Sequence, residues 1–236
     1  MHKFRNLLRI CLLSFLVGGC CTSTAGHVSP VPPPPTEADR HHAVVRRLEE
    51  TTVALVADFE NVKRPYCAGV WVGKNIILTA AHCVNDGPLL FQFSTQEDFY
   101  ANASRPAILF ALDGTADLAL LVTNPSDTIK HPVATLSVRG VESSDDVHIV
   151  GHTVGFPWSY AAGKVAAVRK NFLGPMDNPG SFLQIAAPVW MGNSGGGAFD
   201  ADGNLIGISS WVSTKAPLIA FFIHQEVIAE FLKKNL

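Results

Sequence analysis

Short apolar segments, separated by glycine, proline and polar residues, follow one another along the chain from residue 51 onwards. In some of them hydrophobic and polar positions alternate, which is the period of a strand that buries one face. Others are continuously apolar over a few residues, which is typical of fully buried strands. The predicted strands are 51–59, two strands around a turn in 70–78, 89–93, 107–111, 117–121, 146–151, 163–168, 182–185, 197–199 and 205–211. The pattern predicts an all-β fold.

The period changes at the C-terminal end, where residues 225–235 place Val227, Ile228, Phe231 and Leu232 at helical spacing. A single C-terminal helix is therefore predicted after the strands. The composition agrees with this fold class, because 19 glycines and 15 prolines suit short strands and turns better than long helices. Hydrophobic residues make up 47% of the 236 positions and charged residues 16%, which allows a sizeable core.

The N-terminal segment has the pattern of a bacterial export signal, so residues 1–20 are predicted to be a signal peptide. Lys3, Arg5 and Arg9 precede a short apolar stretch, 10–17, that is too short to span a bilayer comfortably. Small residues then precede Cys20, as in a bacterial lipobox, which predicts lipidation of Cys20. The alternative is an ordinary secretory signal that is cleaved nearby.

Residues 21–43 are predicted to be a linker, because a tract of prolines at 30–35 favours an extended polyproline II conformation. Such a linker would hold the folded domain away from a membrane, although a featureless tail has the same composition. The folded domain is predicted to cover 44–236. The expected location is outside the cytoplasm, as a membrane-anchored lipoprotein in the periplasm or at the cell surface, or otherwise as a secreted protein.

The formal net charge is −2 and the chain has no basic stripe, so nucleic-acid binding is not predicted. No cofactor is predicted either. His148 and His152 lie four residues apart, which on a strand would place both on one face, but no third metal ligand is evident in the sequence. No metal site is therefore predicted, and the membrane is a partner only through the lipid anchor.

The segment 191–197, with the sequence MGNSGGG, carries the strongest chemical signal, because glycines surround Ser194 on both sides. A serine hydroxyl attacks a carbonyl only with a base to accept its proton and donors for the oxyanion. Glycines allow the sharp backbone turn and the close approach that this chemistry needs. His82, which follows the predicted strands in 70–78, and Asp117, at the start of the predicted strand 117–121, are the candidate partners. Asp113 competes with Asp117, but the adjacent Gly114 favours a turn role for Asp113.

Three motifs in the order His, Asp, Ser make the chain resemble a trypsin-like, chymotrypsin-fold serine peptidase, closest to the bacterial branch of HtrA and V8-type enzymes. The resemblance covers the chain from about Thr51 to its end. It implies two packed six-stranded antiparallel Greek-key barrels, at about 44–136 and 145–224, followed by the helix 225–235. The predicted helix leaves no room for the PDZ domain that many HtrA-type enzymes carry.

The resemblance also implies the role of each residue. Ser194 would be the nucleophile, His82 the general base and then acid, and Asp117 the carboxylate that orients His82. The backbone N–H groups of Gly192 and Ser194 would form the oxyanion hole. Cys67 and Cys83, the two cysteines left after Cys11, Cys20 and Cys21, would form a disulfide that fixes the histidine loop, in keeping with export.

Asn193 stands where zymogen-activated relatives have an aspartate that pairs with a newly formed amino terminus. Asparagine cannot form that ion pair, so no activation of the trypsinogen kind is predicted. The substrate pocket would be formed by Pro188 at its base and by Ser210, Trp211, Val212 and Ala220. A narrowed pocket without an acidic group predicts small or medium aliphatic P1 residues.

The predicted function is an exported serine endopeptidase that acts on protein or peptide substrates through an acyl-enzyme. Two other functions remain open on the sequence. A peptide-binding module on the same fold would have lost catalysis through a distorted oxyanion loop, and an esterase of narrow range would use the same acyl-transfer groups.

Overall fold

The computed structural model describes residues 34–59, 62–84, 89–125, 130–174 and 179–236. The signal peptide, Cys20 and most of the predicted linker lie outside the described residues. The elements in chain order are α1 (Glu37–Thr51), β1 (Thr52–Phe59), β2 (Val62–Gly73), β3 (Ile76–Ala80), β4 (Leu89–Phe93), α2 (Gln96–Tyr100), β5 (Arg105–Asp113), β6 (Leu118–Thr123), β7 (Asp146–Gly151), β8 (Ser159–Leu173), β9 (Pro179–Ala186), β10 (Gly197–Phe199), β11 (Leu205–Val212), β12 (Ile219–His224) and α3 (Gln225–Asn235).

The twelve strands form two closed antiparallel barrels, which confirms the predicted fold class. The first barrel has the order β1-β2-β3-β6-β5-β4, and the second has the equivalent order β7-β8-β9-β12-β11-β10. Closure gives every described strand two neighbours, which limits the exposed edges that act as a template for edge-to-edge association. Both barrels therefore repeat one topology although their sequences show no visible repeat.

Each barrel has its own apolar interior, and a third cluster joins the barrels to the helices. Fully buried members of this third cluster include Leu48 of α1, Phe93, Leu118, Phe199 and Ile228 of α3. Burying a side chain of this size stabilises the fold by about 1.5–3 kcal/mol. The third cluster therefore explains why helices α1 and α3 pack on the barrels and why the barrels meet across a fixed interface.

Helix α1 begins at Glu37, so it includes residues that the sequence pattern assigned to the linker 21–43. The cause is a capping box, in which the Thr36 hydroxyl accepts a hydrogen bond from the Asp39 N–H and the Asp39 carboxylate accepts one from the Thr36 N–H. The periodic pattern in this segment is weak because Leu48 and Thr51 are its only buried residues. The helix ends one residue into the predicted first strand.

Other elements differ in length, because β2 begins at Val62, before the predicted strands in 70–78, and β8, Ser159–Leu173, extends beyond the predicted 163–168 at both ends. The C-terminal helix has the predicted bounds, and β7, β10 and β4 start and end where the pattern places them. The one-turn helix α2 was not predicted; the Thr95 hydroxyl caps it by accepting the Asp98 N–H. Among the described residues, no helix is both long and apolar enough to span a bilayer.

Candidate active site

His82 and Asp117 lie side by side because β3 and β6 are antiparallel neighbours, with Ala80 opposite Leu118. His82 is in a 3₁₀ turn, Ala81–Val84, that follows β3, and Asp117 directly precedes β6. His82 Nδ1 lies 3.0 and 2.9 Å from the two carboxylate oxygens of Asp117. The backbone N–H of His82 also donates to Asp117 Oδ1, at 3.0 Å. A carboxylate only accepts, so the proton resides on Nδ1 and the lone pair of Nε2 is free.

Asp117 is 8% exposed and is held by hydrogen bonds from two sides. Burial by itself would raise the pKa of Asp117, but hydrogen bonds from His82 and Ser210 outweigh it and keep the pKa below the ordinary value. The Ser210 hydroxyl donates to Asp117 Oδ2 at 2.6 Å from a position 93 residues away in the chain. We expected Ser210 only in the substrate pocket. Its bond to the carboxylate carries no local sequence signal, because it depends on how β11 meets the first barrel.

Cys67 and Cys83 form a disulfide that ties the His82 turn to β2. In the chain-entropy picture, closing a loop of this length contributes about 3 kcal/mol. The Tyr66 hydroxyl also donates to the Cys83 carbonyl, at 2.8 Å. The only cluster of potential metal ligands in the described residues is Cys67, His82 and Cys83. Its two sulfurs are bonded to each other, so it offers no thiolate to a metal ion.

Ser194 lies against the same turn, in a loop that is fixed to the strands of the first barrel. Its carbonyl oxygen accepts the Ala68 N–H at 2.7 Å and lies 3.6 Å from Cys83 Sγ. Gly195 has a φ of 80°, and a Cβ there would come within 2.1 Å of Thr79 Oγ1 and 2.3 Å of the Ala68 carbonyl oxygen. Only glycine allows this approach. Within the described residues the Ser194 hydroxyl has no hydrogen-bond partner, and its bond to a base commonly tightens only when substrate is present.

The backbone of Gly192 is oriented by the peptide before it. Gly192 has a φ of 98°, and the Met191 carbonyl accepts the Val154 N–H at 2.7 Å. In a trans peptide the N–H points opposite to the carbonyl, so the Gly192 N–H points away from Val154. Among the described residues, the N–H groups of Gly192 and Ser194 have no acceptor, whereas the Asn193 N–H between them donates to the Trp190 carbonyl. The backbone of this loop thus carries two unpaired N–H donors, one at Gly192 and one at Ser194 itself.

Asn193 is 2% exposed and anchors this loop with neutral groups. Its Nδ2 donates to Thr153 Oγ1 at 2.6 Å and to the Trp190 carbonyl at 3.0 Å. Its Oδ1 lies against Gly151, where a Cβ would come within 2.0 Å of that oxygen. The loop is therefore held without an ion pair to a chain terminus.

The predicted pocket residues lie beside this loop on the second barrel. Val212 is opposite Ala220 in the pairing of β11 with β12, and Ala220 is fully buried. Trp211 stacks on Phe221 with ring centroids 3.7 Å apart. Pro188 is exposed, so it does not close a deeply buried floor, and the adjacent Val189 is the buried residue.

The residues that competed for these roles lie elsewhere. Asp113 Oδ1 accepts the N–H groups of Thr115 and Ala116, which is the turn role expected of it. His148 and His152 do not share a face. His148 Nδ1 bonds to the Tyr160 hydroxyl at the surface, whereas His152 follows the end of β7 and is completely buried.

The two-barrel fold with this site is the fold of chymotrypsin-like serine peptidases, and comparison with known proteins agrees. A family model described as the trypsin-like peptidase domain matches residues 67–208. The chain belongs to this family. Over 170 residues, 67% of the chain, it is 32% identical to a probable periplasmic serine endoprotease, DegP-like, of Brucella suis. The match spans 31% of the length of that relative.

Solved structures give the same answer for the fold. The HtrA-type protease AlgW with a tripeptide superimposes with a TM-score of 0.70 at 25% identity, over 85% of this chain and 63% of that one. The active form of the Rv3671c protease from M. tuberculosis superimposes with a TM-score of 0.69 at 17% identity, over 88% and 93% of the two chains.

Proposed function

We propose that the protein is an exported serine endopeptidase in which Ser194, His82 and Asp117 form the catalytic triad. The observation that carries the proposal is the His82 ring, which two Asp117 oxygens hold in the tautomer with a free Nε2, beside the loop of Ser194. Membership of the trypsin-like peptidase family supports the same reaction.

In the proposed reaction, His82 Nε2 accepts the Ser194 proton while Ser194 Oγ attacks the carbonyl carbon of the scissile peptide bond. The unpaired N–H groups of Gly192 and Ser194 stabilise the oxyanion of the tetrahedral intermediate. His82 then returns the proton to the leaving amine, and the acyl group stays on Ser194. Water, deprotonated by His82, repeats the attack and releases the acid. Asp117 stabilises the imidazolium in both halves of the reaction.

The pocket beside this loop supports the preference for small or medium aliphatic P1 residues. Val212 lies opposite Ala220 and packs against the apolar cluster that contains Ala220 and Val189, so the residues at this place are aliphatic and uncharged. The backbone of 210–212 offers a strand to which an extended substrate adds by β-augmentation. A Val212→Gly variant is expected to accept larger P1 residues in a peptide library, and an unchanged P1 profile would contradict this assignment.

The test of the function compares the wild type with Ser194→Ala in two assays. The wild type should react with a fluorophosphonate at Ser194 and cleave an unstructured protein such as casein, and the variant should do neither. A Ser143→Ala variant, at an exposed serine that precedes β7, is the control and should behave as the wild type.

The outcomes separate the other functions. If the wild type takes no label and cleaves nothing, yet binds peptides as tightly as Ser194→Ala does, the protein is a peptide-binding module. If it hydrolyses esters but not matched amides, it is an esterase.

We further propose that the protein is exported and that Cys20 carries a lipid. The support is the N-terminal sequence pattern together with relatives that are named as periplasmic. Mass spectrometry of the mature amino terminus should find a diacylglyceryl group on Cys20 in the wild type, and cleavage elsewhere without lipid would overturn the assignment.

A further inference from the structure

A buried histidine and a buried tryptophan connect the turn beside the oxyanion loop to strand β1 and to the end of helix α1. His152 is 0% exposed, and its Nε2 donates to the Val53 carbonyl of β1 at 3.0 Å. Its Nδ1 accepts the backbone N–H of Trp158, also at 3.0 Å. The two rings meet edge to face at 4.8 Å. Through Nδ1, His152 therefore closes the turn 152–158, and through Nε2 it joins this turn to the first barrel.

Trp158 continues this connection to helix α1. Its indole N–H donates to the carbonyls of Glu49 and Thr52, at 3.0 and 3.2 Å. Glu49 lies in the last turn of α1, and Thr52 is its C-cap and the first residue of β1, so the indole bonds to the junction of α1 and β1. The turn 152–158 is thus fixed to the end of α1 as well as to β1.

The turn holds a conformation that its own residues do not favour. Val154 has a φ of 52° and Trp158 a φ of 49°. A β-branched residue in the left-handed region is a conformational outlier, and such a conformation persists only when its surroundings impose it. The Val154 side chain is 64% exposed, so packing does not hold it there. The bonds of His152 and Trp158 at the two ends of the turn do.

The constrained turn contacts the oxyanion loop at three points. The Val154 N–H holds the Met191 carbonyl, and Thr153 Oγ1 accepts Asn193 Nδ2. The His152 carbonyl lies so close to Gly192 that a Cβ there would come within 2.2 Å of it. The first of these contacts turns the Gly192 N–H away from the turn 152–158. A change in the turn would release the Met191 carbonyl and with it the orientation of one oxyanion donor.

We infer that His152 and Trp158 are positioning residues for the oxyanion hole, which couple the end of α1 to the orientation of the Gly192 N–H. This inference rests on the proposed serine peptidase function. Neither side chain touches the reacting atoms. The titratable side chains around the cleft beyond Trp158 are Arg46, Glu49 and Glu50 of α1, Glu97 of α2, Lys130 and His131. None of them bonds to His152, whose two partners are both backbone groups.

The test uses the full chain and separates positioning from stability. His152→Leu removes the acceptor for the Trp158 N–H, whereas His152→Asn keeps an oxygen close to the position of Nδ1. His224→Leu is the matched control, because His224 is a buried histidine whose Nδ1 also accepts one backbone N–H, that of Glu226, far from the oxyanion loop. All variants are assayed well below their melting temperatures with one peptide substrate.

We expect His152→Leu to lower kcat by about tenfold or more, with KM within about twofold, since only the transition state uses the oxyanion donors. His152→Asn should regain most of kcat, and His224→Leu should keep it. Affinity for a peptide boronate, which forms a tetrahedral adduct at the serine, should fall in parallel with kcat.

Trp158→Phe keeps the packing and loses only the indole N–H, so it serves if His152→Leu does not fold; it should also lower kcat and not KM. An active wild type together with unchanged kcat in the His152 and Trp158 variants would overturn the inference. A wild type that neither cleaves peptide nor takes the fluorophosphonate would instead overturn the proposed function.

Discussion

The two halves of the candidate site are built in different ways. His82 and Asp117 lie at the ends of paired strands. The disulfide holds the turn of His82, and hydrogen bonds from His82 and Ser210 hold the buried carboxylate of Asp117. The oxyanion loop and the turn beside it are built from backbone in left-handed conformations at Gly192, Gly195 and Val154. Met191 and Val154, which carry the bond between loop and turn, are 66% and 64% exposed.

The difference shows where each half obtains its rigidity. Strand pairing and the disulfide fix the first half, together with the hydrogen bond from Ser210 to Asp117, whose own backbone is left-handed with a φ of 56°. The second half depends on hydrogen bonds from the turn 152–158 to the oxyanion loop and from the same turn to β1 and α1. Changes at a distance should therefore affect the oxyanion half more readily than the His82 half. The predictions below test this comparison.

The largest effect is expected from breaking the His82 half at Asp117. Asp117→Asn replaces the acceptor of the Nδ1 proton by an amide, which favours the wrong tautomer of His82 and should lower kcat on the order of 10⁴-fold. The free energy of unfolding, measured by urea denaturation, should change far less than the activation free energy that this loss of kcat represents. Asp113→Asn, at the neighbouring turn carboxylate, is the control and should retain activity; equal losses in both variants would contradict the assignment of Asp117.

A smaller effect is expected from protonating His152, which lies in the turn beside the oxyanion loop. Burial lowers the pKa of His152 to about 4, against the opposing hydrogen bond to the Val53 carbonyl. In the unfolded chain this pKa is near 6.5, so between these values the unfolded chain binds more protons. The free energy of unfolding should therefore fall as the pH decreases from about 6.5 towards 4, by about 3 kcal/mol in total for this residue.

Urea denaturation at several pH values, compared between wild type and His152→Asn, measures this contribution. The variant should lose less stability between neutral pH and pH 4.5 than the wild type does. His148 and His224, whose pKa values are also lowered by burial, contribute in the same direction in both proteins. If the free energies of unfolding of the wild type and of His152→Asn differ by the same amount at every pH, the prediction is wrong.

The smallest effect is expected from relieving strain in the turn. Val154→Gly places glycine where φ is positive, so it should raise the free energy of unfolding by up to about 1 kcal/mol. Val138→Gly, at a fully exposed valine outside the left-handed region, should instead lower it slightly. Adding Val154→Gly to His152→Leu should restore part of kcat if strain is what the His152 bonds hold in place. If Val154→Gly and Val138→Gly change the free energy of unfolding by the same amount, the backbone at Val154 is not strained.

Much of the first half of the site was predictable from the sequence. Asp117 stands at the start of an apolar strand, and Gly114 next to Asp113 marks a turn, so local pattern was enough to separate the two carboxylates. The bond from Ser210 to Asp117 was not predictable, because no local pattern records which strand of the second barrel approaches the first.

The second half was less predictable. The glycines around Ser194 indicated a sharp turn, but the sequence grouped His152 with His148 as one face of a strand. The strand ends at Gly151, and the next residues form a turn that points His152 into the interface between the barrels. The alternating pattern cannot register such a change of direction after the last strand residue.

By itself, the sequence determined the position of most strands, the C-terminal helix, and the three motifs that make the chain resemble a trypsin-like peptidase. These features depend on spacing between near neighbours, which a linear pattern records directly. Only the tertiary structure decided that Ser210 bonds to Asp117 and that His152 joins β1 to the turn beside the oxyanion loop. Those contacts arise when two closed barrels bury a shared interface, and their partners lie 93 and 99 residues apart in the chain.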